Sequence, residues 1–278
     1  MAESSPQSTF LAKRGASIDI DGVFNVRSFG GYPSSLRPNC FTRDSFIYRS
    51  GHLKDITSRG TIQIRDLGIS MVIDLTNSGE TKALFTGTSS LSQCRVLNLP
   101  LVKHGFTVQQ LADKYKRYLE EGEKAIAEGY LKLLIEGHQV VRDILFLIRD
   151  NPDDVFLVHC AMGKDRTGVV FAVLLSLAGV SDDAIADEYS RSELALEAAL
   201  PKIAAAIKKA IPTVTDVEAL KRARVVIQTR KEAMLLMLQL MVERFGGMVQ
   251  YLKNCCGVSE EDIELIQALL TFTAKDTD

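Results

Sequence analysis

The sequence predicts an α/β fold in which a small central sheet is flanked by many helices and a strand–loop–helix unit lies at its centre. Three observations carry this. Short runs with the length and β-branched content of buried strands recur at SMVIDL (Ser70–Leu75), RVLNLPL (Arg95–Leu101) and VFLVH (Val155–His159). Helical periodicity fills most of the chain between and after them, in segments that open on Ser or Thr or close on Gly. The last strand runs into a short loop, Cys160–Arg166, and then into the apolar helix TGVVFAVLLSLAG that begins at Thr167.

In chain order, residues 1–15 read as a flexible polar tail, since Met1 to Phe10 carries Ser and Pro but no apolar signal core. Residues 16–278 read as a single domain, because a chain of 278 residues can bury a sizeable core. From Ile18 to Leu75 the turn residues Asp21-Gly22, Gly30-Gly31, Pro33, Pro38 and Ser50-Gly51 separate short strands. Thr57 to Leu67 opens with a capping Thr, sets Ile62, Ile64 and Leu67 among charges and is followed by Gly68, a helix feeding the strand at SMVIDL.

A helical insertion covers about 107–150, and a helical C-terminal part follows Thr167. Two readings of the insertion stand together: a lid over a site, or a fixed helical pair packed on the sheet. Pro212 to Thr215 marks a loose boundary rather than a domain linker, because the helix that follows is too apolar to stand alone. In the Met-rich helix from Met234 to Met241, the apolar residues Met234, Leu235, Leu238, Met241, Val242 and Phe245 keep the periodicity of core residues.

A hydrophobic fraction of 46%, 24% charged residues and a net charge of −2 argue against a general nucleic-acid-binding surface. No stretch reaches the roughly 18 consecutive apolar residues of a membrane span, so no integral membrane segment is expected and the protein is placed in the cytoplasm. Cys40, Cys94, Cys160, Cys255 and Cys256 form an odd set without metal-ligand spacing, which predicts neither a disulfide framework nor a metal site. The adjacent Cys255 and Cys256 read as buried small residues rather than a redox pair.

The chemistry is concentrated in VFLVHCAMGKDRTG. A loop between a buried strand and a helix forms an anion cradle: the backbone N–H groups of Ala161, Met162, Gly163 and Lys164 converge, and the helix starting at Thr167 adds its N-terminal partial charge. Gly163 lets the backbone bend close to a ligand, and the planar fork of Arg166 grips two phosphate oxygens. Cys160 at the head of the cradle is the natural nucleophile, since the groups that favour phosphate also favour a thiolate. Thr167 is placed to donate its hydroxyl to that thiolate, and His159 to order the loop.

Asp165, inside the loop, is the first choice of general acid for the leaving oxygen; Asp74, at the end of SMVIDL, is the second. Lys164 serves either a second phosphate or pairing with Asp74. Arg49 reads as a brace of the loop before a phosphate ligand, and Arg27 has the same two readings. His52, His104 and His138 are scattered singly and read as ordinary surface or cap residues.

HCAMGKDRTG resembles the Cys-x5-Arg loop of the protein-tyrosine-phosphatase superfamily, in particular the bacterial and fungal tyrosine and lipid phosphatases with HC-x-x-GKDRTG. NVRSFGGY (Asn25–Tyr32), YRSGHL (Tyr48–Leu53) and IDLTNSGE (Ile73–Glu80) are similar to further segments of that group. Ser28 stands where the group usually has Asp, and Thr76 where it usually has Arg. The resemblance implies a phosphatase fold, Cys160 as nucleophile, Arg166 on phosphate, Asp165 as proposed general acid, and no metal or other cofactor. It implies phosphorylated proteins or phosphoinositides as substrates, the lipid breadth being linked to Lys164.

Two other functions use the same cradle: a pseudoenzyme that binds phosphate without turnover, or arsenate reduction with Cys40 or Cys94 as resolving thiol. The sequence leaves the oligomeric state open.

Overall fold

The computed structural model describes residues 14–77, 91–103 and 108–274. Residues 1–13 of the expected tail, Ser78–Glu80 of IDLTNSGE, His104, and Thr107 at the start of the insertion lie outside them.

The turn-rich N-terminal region forms β1 (Arg27–Ser28), β2 (Pro33–Ser34), β3 (Cys40–Thr42) and β4 (Ile47–Ser50). Helix α1 (Ser58–Asp66) is capped by Thr57, whose Oγ1 accepts from Gly60 N at 3.0 Å, and it leads to β5 (Met71–Asp74) and β6 (Arg95–Asn98). The insertion folds as α2 (Val108–Glu136) and α3 (His138–Asp150), and β7 (Phe156–His159) then leads into α4 (Asp165–Leu177). After these come α5 (Asp182–Ser190), α6 (Ser192–Leu196), a 3-10 turn at Glu197–Ala199, α7 (Leu200–Ala210) and α8 (Asp216–Ile227). The chain ends in α9 (Lys231–Phe245), α10 (Met248–Asn254), α11 (Glu260–Leu270) and β8 (Thr271–Thr273).

The central sheet has the order β1-β4-β7-β5-β6, parallel except for β1, which pairs antiparallel with β4. Every residue of β4, β5 and β7 is buried, as expected of apolar strands covered on both faces, whereas the edge strand β6 is largely exposed. The register sets Ser50 and Asp74 on either side of His159 at the carboxyl ends of three parallel strands. In open α/β sheets that edge is where ligands bind.

Helix α4 is buried along the whole stretch from Thr167 to Leu175, which accounts for a sequence apolar on every side. Helix α2 breaks at Gly122, whose φ of 65° and ψ of −140° are not helical. Beyond the break Ile126, Ala127, Tyr130, Leu131 and Leu134 join Val141, Ile144, Leu145 and Ile148 of α3 in the main core. Each large side chain returned to water costs about 1.5–3 kcal/mol. From Glu123 onward the insertion packs as a helical pair against the main core.

Other expectations shift in detail. In α9 the buried stripe is Met234, Met237, Leu238 and Met241, while Val242 is 58% exposed, because the stripe follows i, i+3, i+4, i+7. Pro212 to Thr215 is the turn of a helical hairpin formed by α7 and α8, with Thr215 Oγ1 accepting from Glu218 N at 3.2 Å. Strand β8 was not anticipated: it returns after all the helices to pair antiparallel with β3, giving a second sheet of order β2-β3-β8.

Candidate active site

The loop from Cys160 to Lys164 joins β7 to α4 at the carboxyl edge of the sheet, and its outward carbonyls are tied down from neighbouring elements. His52 N donates to Ala161 O at 3.2 Å, just beyond the end of β4. Asn25 Nδ2 donates to Met162 O at 2.9 Å and Gly163 O at 3.0 Å. Arg49 Nη2 donates to Gly163 O at 2.5 Å and Lys164 O at 3.3 Å. In a trans peptide the N–H points opposite to the C=O, so carbonyls held outward turn the following N–H groups inward, toward a common point. Gly163 sits at φ 62°, and a Cβ there would lie 2.2 Å from Ser50 O, so this turn admits only glycine.

The expected side chains lie on this loop and directly beside it in sequence. Cys160 is buried at 3% exposure, and Arg166 is half-buried with Nη1 donating to Leu75 O at 3.4 Å. Thr167 is fully buried, and among the described residues its hydroxyl has no hydrogen-bond partner. His159 is fully buried with Nδ1 3.8 Å from Asp74 Oδ1; burial pushes its pKa down, against the pull of Asp74. Lys164 does not reach into solvent: its ammonium donates to Val226 O at 2.6 Å and Gln228 O at 3.0 Å at the end of α8, and lies 3.7 Å from Asp165. Its partner carboxylate is Asp165, where pairing with Asp74 had been one expectation.

The two candidate acids differ in surroundings. Asp74 Oδ1 accepts from Thr76 N at 2.9 Å and Thr76 Oγ1 at 2.7 Å, and Oδ2 accepts from Asn98 at 3.2 Å. Thr76, at the position where the resemblance would place Arg, thus braces the strand end. Asp165 accepts from the Tyr130 hydroxyl at 2.5 Å, and Tyr130 in turn meets the Tyr189 hydroxyl at 2.6 Å. Tyr115 and Tyr118 of α2 share the same small cavity beside Asp165. Burial would raise the pKa of Asp165, but Lys164, Lys114, the Tyr130 hydroxyl and Arg166 outweigh it and hold the carboxyl at about 2.

The arrangement is a loop suited to an oxyanion, with a thiol at its start and a carboxyl and an arginine directly after it. A sequence model of the tyrosine phosphatase family matches residues 18–272 of the chain. The chain belongs to the tyrosine phosphatase family. Among its relatives, the triple specificity protein phosphatase PtpB of Mycobacterium tuberculosis is 25% identical over 91% of this chain and 98% of its own length. A tyrosine-protein phosphatase of Nostoc commune is 25% identical over 59% of this chain and 53% of its own. The protein is accordingly a cysteine-dependent phosphatase of the protein-tyrosine-phosphatase type.

Several residues that build the phosphatase site were not picked out from sequence. Glu188 of α5 is buried at 2% exposure and binds both Arg27 and Arg49. Two arginines on buried strands demand a carboxylate, but nothing local marks which one. Tyr130 and Tyr189 come from distant helices and meet only in the fold. His52, read as a surface residue, is half-buried against the loop; its Nδ1 is buried without a partner among the described residues, and burial lowers its pKa. Ser28 lies in β1 next to Arg27, where Oγ donates to Asp44 Oδ1 at 2.8 Å and accepts from Gly30 N at 3.0 Å.

Proposed function

We propose that the phosphatase hydrolyses phosphotyrosine in proteins, with breadth toward phosphoserine and phosphothreonine, through a phosphocysteine on Cys160. The single observation that carries this reading is the loop itself, with the carbonyls of residues 161–164 bonded outward behind a buried Cys160 and followed by Arg166. The amides 162–165, Arg166 and the N-terminus of α4 favour both thiolate and bound phosphate.

In the first step Cys160 Sγ attacks phosphorus; the S–P bond forms, the bond to the leaving oxygen breaks, and Asp165 gives that oxygen a proton. In the second step water attacks phosphorus, Asp165 takes its proton, and the S–P bond breaks to release phosphate and thiolate. Asp165 fills this role in preference to Asp74, whose oxygens are engaged by Thr76 and Asn98. A carboxyl held at about 2 is ionised before substrate arrives. The phosphate dianion beside it raises its proton affinity, so the acid is armed by its own substrate.

A second reading, phosphoinositide hydrolysis, draws on Lys114, a cation acting on Asp165 from α2 that suits a second phosphate. We place the enzyme in the cytoplasm, a reducing compartment that suits a reactive thiol in a chain whose five cysteines are all free. The test compares wild type and Cys160→Ser on phosphotyrosine peptides and on phosphoinositides, with and without a chelator. Peptide hydrolysis that Cys160→Ser abolishes and chelator leaves intact is the expected result. Full activity in Cys160→Ser, or its loss with chelator, would refute the mechanism; tight phosphopeptide binding without turnover by the wild type would mark a pseudoenzyme.

A further inference from the structure

We infer that Glu188 is a positioning residue for the catalytic loop, acting at a distance through Arg27 and Arg49. Three of the loop's outward carbonyls, those of Met162, Gly163 and Lys164, are held by Asn25 and Arg49, and neither donor holds itself. Arg49 Nη1 donates to Glu188 Oε2 while Nη2 reaches Gly163 O and Lys164 O. Arg27 Nε donates to Glu188 Oε1 at 2.9 Å, and Nη2 to Glu188 O at 3.2 Å and Ser192 Oγ at 2.9 Å. Its Nη1 donates to Asn25 Oδ1, and Asn25 Nδ2 donates on to Met162 O and Gly163 O.

From one carboxylate, then, two chains of hydrogen bonds reach three consecutive loop carbonyls. Arg27, Arg49, Glu188 and Asn25 are all buried, so no water stands ready to replace a lost partner. Asn25 is also held at φ 61°, a left-handed conformation that asparagine adopts more readily than most residues with a side chain. The Arg49 guanidinium lies 4.9 Å from the Phe171 ring, which restricts its swing. Each carboxylate oxygen takes one arginine, so shortening or neutralising the side chain loosens at least one of the two chains.

The inference rests on Cys160 as the nucleophile, and the experiment separates the two. The pH profile of Cys160 alkylation by iodoacetamide reports the thiolate directly, alongside kcat, KM and circular-dichroism melts, in wild type, Glu188→Gln and Glu188→Asp. If Glu188 aims the loop, its loss turns amides away from sulfur: the alkylation profile of Glu188→Gln moves up by about one unit and kcat falls about tenfold or more, in a protein that still melts cooperatively. If Glu188 were only a counter-charge, removing it would leave the two arginines to favour the thiolate, and the profile would move down.

Glu188→Asp keeps the charge but reaches less far, and is expected to fold and shift in the same direction by less. A folded Glu188→Gln with wild-type kcat and profile, or a profile moving down, overturns the inference. Should Glu188→Gln fail to fold, wild-type behaviour in Glu188→Asp does so. A wild-type Cys160 that alkylates like a free thiol would instead refute the nucleophile reading.

Discussion

Residue by residue, the groups proposed to react are legible in the sequence because they lie close together: Cys160 heads the loop, and Asp165, Arg166 and Thr167 form the first turn of α4 directly behind it. Their tuning is not legible, because it comes from residues far along the chain such as Tyr130. The Tyr130 hydroxyl donates to the ionised form of Asp165 and so lowers its pKa. Tyr130→Phe is therefore expected to move the basic limb of the kcat–pH profile upward, since Asp165 then stays protonated to higher pH in the substrate complex; an unmoved limb would remove Tyr130 from this role. The same depressed pKa has a stability consequence. With a folded value of about 2 against 3.8 in the unfolded chain, Asp165 contributes about 2 kcal/mol above the unfolded pKa, lost as pH falls through the folded one. Denaturant melts should show wild type losing stability relative to Asp165→Asn between about pH 4 and pH 2, and parallel curves would contradict the assignment.

At the level of elements, capping and burial patterns were readable, and tertiary pairings were not. Thr57 was foreseen as a cap from its place before an amphipathic run, and it caps α1. Thr57→Ala should cost about 1 kcal/mol in a denaturant melt and leave kcat unchanged, since α1 contributes no bond to the loop carbonyls. The loop answers differently. Gly163→Ala would set a methyl group against Ser50 O and strain a positive φ, so kcat should fall by about 10²-fold or more; wild-type turnover would show that the cradle is not the reacting site. The insertion shows why periodicity alone left two readings open. Helix α3 and the second half of α2 have apolar stripes suited to a fixed layer or to a lid, and in the structure Tyr130, Leu134 and Ile148 are buried in the core.

Over the whole molecule, the α/β class was evident from a few apolar strands among many helices, whereas β8 was hidden: TFT is too short to display a period, and its partner β3 lies at the other end of the chain. The parallel register brings Ser50, His159 and Asp74 to one edge, and Arg49 of β4 and Asn25 just before β1 bond the loop carbonyls there. On the proposed mechanism the fold is a frame that points backbone amides at one sulfur. The most direct test of that claim is to quench a reaction with phosphotyrosine peptide in acid within the first turnover and map the phosphorylated residue by mass spectrometry. The account predicts one phosphoryl group on Cys160, absent in Cys160→Ser and accumulating in Asp165→Asn when the leaving group needs no proton. A phosphoryl group on His159 or His52, or turnover with no phosphoenzyme in either variant, would contradict it.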